Sequence, residues 1–139
     1  MLIGIDYFSR VVWTEVLAGR SASKVTEIMQ RWFENERRPV EVITDNGKEF
    51  GNSTFKKLCW DYGVEHRVVS VEAHRSNGRV ERAIRTIREG VLKAEGKTLE
   101  DKLRYTVRKY NETYHLVLGM GYISPFYIIN TLIMMYFNT

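Results

Sequence analysis

Apolar positions recur along this chain with two periods, one near two residues and one near 3.6. Leu2–Tyr7 and Val11–Leu17 are β-type apolar runs joined by Phe8-Ser9-Arg10, which predicts two strands in a meander. From about Ser23 the spacing changes. Val25, Ile28, Met29, Trp32 and Phe33 fall at i, i+3 and i+4 steps, as on one face of a helix. Glu34 to Arg38 is a polar exit, and Pro39 closes it before a strand that ends at Asp45. A second helix is expected from Asn52 or Ser53, with Phe55, Leu58, Cys59 and Tyr62 on one face and Gly63 as its stop. Glu65–Ser70 reads as a short strand, Val71–Arg75 as a loop, and Ser76–Glu95 as a long helix. A further helix starts at Thr98, with Asp101 placed for a capping-box-like contact. Leu99, Leu103, Thr106, Tyr110 and Tyr114 run along one of its sides. The order β-β-α-β-α-β-α-α predicts an α/β fold, a mixed sheet with helices packed on it.

The pattern breaks near the end. From Thr113 to Thr139 there is no Asp, Glu, Lys or Arg. Leu116–Phe137 has the length of a membrane span. However, Gly119, Gly121 and Pro125 interrupt it, and Ser124, Asn130 and Thr131 dilute it. A buried C-terminal helix or an altered tail is the better reading, and no membrane partner is expected. We divide the chain into one domain over residues 1–127 and an apolar tail over 128–139. With 139 residues, one domain with one real core is the natural count. A single cysteine, Cys59, excludes an internal disulfide framework and fits a reducing, intracellular setting. It also lies on the apolar face of its helix, where buried filler is the expected role. Met1-Leu2-Ile3-Gly4-Ile5 runs straight into Asp6 without a basic leader or cleavage site.

Charge changes the picture only through its placement. The net +4 is a weak pointer to a polyanionic partner. Between Arg67 and Lys93, though, there are seven Arg or Lys against three acids, so this segment holds an excess equal to that of the whole chain. Within it, Val80, Ile84, Ile87 and Val91 form an apolar 4-3-4 stripe that must face a core. Asn77, Glu81, Arg85 and Arg88 form a second stripe about 100° around the axis. Arg79 and Arg82 flank it. Guanidinium groups suit phosphate because their planar fork donates two parallel hydrogen bonds.

Two acids have contexts suited to a metal. Asp45 ends an apolar run and opens Asp45-Asn46-Gly47, and Glu81 lies one turn into the long helix. A strand end and a helix N-terminus can bring two carboxylates to one rim of a sheet, as a divalent-metal site for phosphodiester chemistry requires. Plainer roles stand beside this. Glu81 complements a helix dipole and pairs with Arg85 at i,i+4, and Asp45-Asn46-Gly47 suits an ordinary turn.

Several motifs then match a family in order. They are Ile5-Asp6-Tyr7-Phe8-Ser9-Arg10 with Trp13, Thr44-Asp45-Asn46-Gly47 with Glu49-Phe50, Ser76-Asn77-Gly78-Arg79-Val80-Glu81-Arg82, Tyr110-Asn111, His115 and Ser124-Pro125-Phe126. Through them the chain resembles the catalytic core of retroviral and retrotransposon integrases, in the ribonuclease-H-like superfamily. The resemblance implies a ribonuclease-H-like mixed sheet flanked by helices. It implies a polynucleotidyl transferase for DNA integration and strand transfer that uses Mg²⁺ or Mn²⁺. It makes Asp45 and Glu81 the second and third acids of an Asp-Asp-Glu metal triad. Asn77, Arg79, Arg85 and Arg88 become contacts to DNA, and the partners become DNA ends, target DNA and further copies of the chain. A metal is needed because two carboxylates about 4 Å apart repel by roughly 4 kcal/mol at an effective dielectric near 20.

The chain also departs from the pattern. The family's first aspartate lies on a strand preceding the one with Asp-x-Phe-Ser-Arg, and only five residues precede Asp6. We therefore expect the fold's first strand to be missing, and Asp6 to be a polar cap at a strand-to-turn junction rather than a metal ligand. Ala73-His74-Arg75 stands where His-Pro-Gln is common, so His74 reads as an exposed loop residue. The family's zinc-binding and C-terminal DNA-binding domains are not in this sequence. The expectation is a retroelement fragment with weak or no strand transfer, nuclear in a eukaryote. The alternatives are a non-catalytic nucleic-acid-binding or assembly module derived from an integrase, and another ribonuclease-H-like nuclease.

Overall fold

A computed structural model of the chain describes residues 1–6, 9–19, 21–35, 38–70, 78–117 and 132–137. Its elements run β1 (Leu2–Asp6), β2 (Val12–Glu15), α1 (Ala22–Asn35), β3 (Glu41–Thr44), α2 (Ser53–Asp61), β4 (Glu65–Val68), α3 (Gly78–Lys93), α4 (Leu99–Val117) and β5 (Leu132–Phe137). The expected order of the first eight elements appears, with most ends shorter by one or two residues and α1 slightly longer.

The strands form one sheet in the order β2-β1-β5-β3-β4. β1 runs antiparallel to β2, with Ile3 opposite Thr14, and antiparallel to β5, with Ile3 opposite Tyr136. β3 runs parallel to β5, with Val42 opposite Ile133, and parallel to β4, with Val42 opposite His66. The last strand corrects an expectation. Part of the uncharged tail is neither a helix nor an appendage: Leu132–Phe137 is the central strand, paired on both sides. The physical reason is compositional. Central strands are covered on both faces and read as continuous apolar runs, which Leu-Ile-Met-Met-Tyr-Phe does. The boundary expected at residue 127 lies outside the described residues. No described helix is long and apolar enough to cross a membrane.

Strand alternation sorts the core into two clusters. Leu2 and Val42 point to one face, where they pack with Val25, Met29 and Phe33 of α1 and Phe55 and Leu58 of α2. Ile3, Ile5, Val12 and Ile43 point to the other, where they meet Ala83 and Ile87 of α3 and Leu103 of α4. The result is three layers, helices on both faces of a mixed sheet. Cys59 is buried in the first cluster, as expected, and burial pushes its thiol up to about 11. On α4, Leu103 and Thr106 are buried as the stripe predicted, but Leu99 is 57% exposed. Leu99 opens the first turn, just past the Thr98 side chain that accepts a hydrogen bond from Asp101 N (3.1 Å). Helices α3 and α4 approach closely at Gly90, where a Cβ would lie 2.4 Å from Thr106 Cγ2.

Edge strand β2 is tied to α4 by one side chain. Asn111 Oδ1 accepts from Val12 N (2.9 Å), and Asn111 Nδ2 donates to Val12 O (3.0 Å). The carboxamide thus supplies the donor and acceptor that a neighbouring strand would offer. Asn111→Ala strips both from a half-buried backbone pair, and chemical denaturation is expected to show a loss of about 1–3 kcal/mol. An unchanged denaturation midpoint would contradict this account.

Candidate active site

Asp45 follows the last residue of β3 and lies two positions beyond Ile43, so alternation carries it toward the face that α3 covers. Its placement is built from below. Thr44, fully buried, donates its hydroxyl to Asp45 O (2.9 Å) and accepts from His66 Nε2 (2.8 Å). The His66 ring stands edge-on to Phe55, with centroids 4.9 Å apart. Beyond Asp45 the chain turns: Gly47 N donates to Asp45 Oδ1 (3.0 Å), and Phe50 N and Gly51 N both donate to Gly47 O. Phe50 is fully buried and anchors this turn in the core. Asn52 then caps α2, accepting from Phe55 N (2.9 Å) while donating to Glu49 O (2.7 Å). Asp45 is therefore half-buried at a rigid strand end, with one carboxylate oxygen engaged by a single backbone N–H.

Glu81 lies in the first turn of α3 and is exposed, as are Arg82, Arg85 and Arg88. Ala83 and Ile87 face the core, with Ile84 and Val91 half-buried beside them, so both stripes read from periodicity are present from Glu81 onward, while the side chain of Val80 lies outside what is described. Arg82 Nε donates to Gly78 O (3.1 Å) and braces the helix start. Arg79 belongs to the same first turn by its backbone. Asn77 and His74 lie outside the described residues. Arg67, one of the seven basic residues of this segment, is committed elsewhere: it pairs with Glu41 at the other end of β3 (Nε to Oε1, 2.5 Å). Among the described residues no three His, Cys, Asp or Glu side chains form a group able to hold a metal ion.

Asp6 takes the role of a cap. It is fully buried, and its Oδ2 accepts from Ser9 N (2.8 Å) and from the Ser9 hydroxyl. Its backbone closes the same turn, Arg10 N to Asp6 O and Asp6 N to Val11 O, with Arg10 at φ +65°. The register separates it from Asp45. Asp6 stands opposite Ile133, whereas Thr44 stands opposite Met135. Because β1 and β3 run in opposite directions on either side of β5, their C-terminal ends lie at opposite edges of the sheet. At roughly 3.3 Å per residue and about 4.8 Å per strand, the two aspartate backbones are on the order of 14 Å apart. One ion cannot bridge that distance.

Burial, with the Lys56 charge nearby, holds His66 below the ordinary imidazole value. The folded chain therefore keeps His66 neutral where the unfolded chain already binds a proton, between that depressed value and about 6.5. Stability is full above this window and falls as pH drops through it. The urea midpoint is expected to decrease from about pH 7 to about pH 5.5, and His66→Asn to flatten that slope. Equal slopes in both proteins would count against a buried neutral His66.

Residues 1–73 match the model of the integrase core domain family. An uncharacterized protein of Caenorhabditis elegans is 30% identical over 123 residues, 86% of this chain and 10% of its own length. Transposase InsD of an Escherichia coli insertion element is 28% identical over 81% of this chain and 40% of its own. The chain thus spans less than half of either relative. Among solved structures, the catalytic core domain of BIV integrase superposes with a TM-score of 0.68 at 18% identity, covering 84% of this chain and 89% of that one. The HTLV-2 integrase catalytic core domain, solved in complex with magnesium, gives 0.61 at 20% identity, covering 74% and 67%. The shared architecture is the ribonuclease-H-like fold.

Proposed function

The chain belongs to the integrase core domain family, and we propose that it is a DNA strand-transfer core of retroelement origin that works with Mg²⁺ or Mn²⁺. The observation that carries this is the state of Asp45. A carboxylate held at a rigid strand end by one N–H, beside the face on which α3 packs, keeps lone pairs on both oxygens for a cation. All candidate ligands are carboxylate oxygens, the donors that Mg²⁺ and Mn²⁺ prefer. Asp45 and Glu81 would hold the ion. When bound, it activates an attacking oxygen and neutralises charge on the phosphate and leaving oxygen.

The chain's own residues do the rest. Asp45 fixes the site against the sheet through Thr44 and His66. Glu81 approaches from the first turn of α3, whose N-terminal amides add a positive field suited to phosphate. Arg85 and Arg88, exposed along the same stripe, receive the DNA backbone, and Asn77 and Arg79, expected from the resemblance, are the further contacts. Such contacts carry little base readout. Self-association by analogy with multimeric family members completes the proposal.

A second reading has an observation of its own. Because the described residues form no three-acid group, a DNA-binding module without catalysis is the rival. One measurement checks the DNA binding that both readings expect, and a second separates them. DNA affinity should fall with salt, with a slope of about −0.9 for each phosphate neutralised, and Arg85→Ala with Arg88→Ala should reduce that slope by about 1–2. Strand transfer in Mn²⁺ should be weak yet measurable and lost in Asp45→Asn and in Glu81→Gln. Metal-independent DNA binding with no transfer at all, unchanged in both acid variants, would favour the binding module.

A further inference from the structure

Glu49 is 5% exposed, yet its carboxylate accepts no hydrogen bond and joins no ion pair among the described residues. That sets it apart from Asp6, the other buried acid among the described residues, whose oxygen is taken by Ser9. Buried polar groups are nearly always paired, and a buried carboxylate without a donor is costly. Neither oxygen of Glu49 is wholly sealed from solvent. What lies beside it is a second carboxylate. A Cβ built on Gly47 would meet Glu49 Cδ and Oε1 at 2.7 Å each and Asp45 Oδ1 at 2.9 Å. The bare Cα of Gly47 therefore leaves room beside two carboxylate oxygens, which are no further apart than these two lengths end to end.

Two like charges that close, with no cation between them among the described residues, destabilise each other. A divalent ion reverses the sign. Mg²⁺ binds oxygens at roughly 2.0–2.1 Å, so two ligands across it span about 4 Å, within reach of a small rotation of the Glu49 side chain. The sheet itself does not provide a second acid at this edge, since β5, next to β3, reads Leu-Ile-Met-Met-Tyr-Phe. We infer that Glu49 is a divalent-cation ligand acting with Asp45 in the gap beside Gly47. The inference rests on the proposal that Asp45 holds a cation, and it adds a turn-borne acid to the ligand set.

The test is Mn²⁺ binding to the full chain, read by calorimetry or by the loss of the free-ion electron spin resonance signal, together with thermal melts. Wild type should bind saturably, and Asp45→Asn should abolish binding. Glu49→Gln should weaken it tenfold or more, and Gly47→Ala should do likewise by filling the gap without altering either acid. In chelator, Glu49→Gln should melt above wild type, because a neutral amide replaces an unpartnered buried charge. Added Mn²⁺ should then raise the wild-type Tm by more than that of the variant. If Glu49→Gln binds Mn²⁺ as wild type does while Asp45→Asn does not, Glu49 is no ligand and the reading of Asp45 stands. If Glu49→Gln melts below wild type in chelator, its carboxylate serves the fold and the inference fails. If Asp45→Asn also binds normally, or wild type binds nothing, the reading of Asp45 falls and this inference with it.

Discussion

The backbone ladder joining β1 to β5 and β5 to β3 decides which strand ends share an edge, and every chemical reading of this chain depends on that. Antiparallel pairing on one side of β5 and parallel pairing on the other send the C-terminal ends of β1 and β3 to opposite edges. Asp6 and Asp45, each placed just where a strand stops, are thereby kept apart. Neither side-chain chemistry nor charge would have separated them, since both are aspartates at apolar strand ends. The pairing direction alone does so.

The polar residues that frame the site and the sheet divide into two groups. In one, each side chain satisfies a backbone group that the fold would otherwise leave exposed or bare. Asp6 with Ser9 closes a turn, Thr44 with His66 secures the end of β3, Asn52 caps α2 and Asn111 covers an edge strand. These contacts place the rim. In the other group, Asp45, Glu49 and Glu81, the carboxylates have little or nothing to do for the fold. Acids held by a rigid frame but left short of partners suit an ion, because ligand geometry is then set before the ion arrives.

Much of the frame was legible beforehand. The helices of Val25–Phe33, Phe55–Cys59 and Ala83–Val91 bury the faces that their periodicity marked, because a 3.6-residue period leaves only one face to bury. Asp6 as a cap and Cys59 as filler were legible for a similar reason: local sequence and residue type state their needs. Leu99 misled because an apolar residue in a helix's opening turn can sit beyond the layer its neighbours pack against. Glu49 appeared as part of a motif without a role, since its burial depends on Phe50 pulling the turn inward and on an absent side chain at Gly47.

By itself, then, the amino-acid order determined the helical faces, the strands that alternate, the turn chemistry and the acids and arginines that could serve a site, because each of these is a matter of neighbours within a few residues. It did not determine that a run after residue 131 would become the middle strand, which acids would share an edge, or which carboxylate would be buried without a donor. Those outcomes depend on hydrogen bonds and packing between segments up to more than a hundred residues apart, and only the assembled sheet settles them.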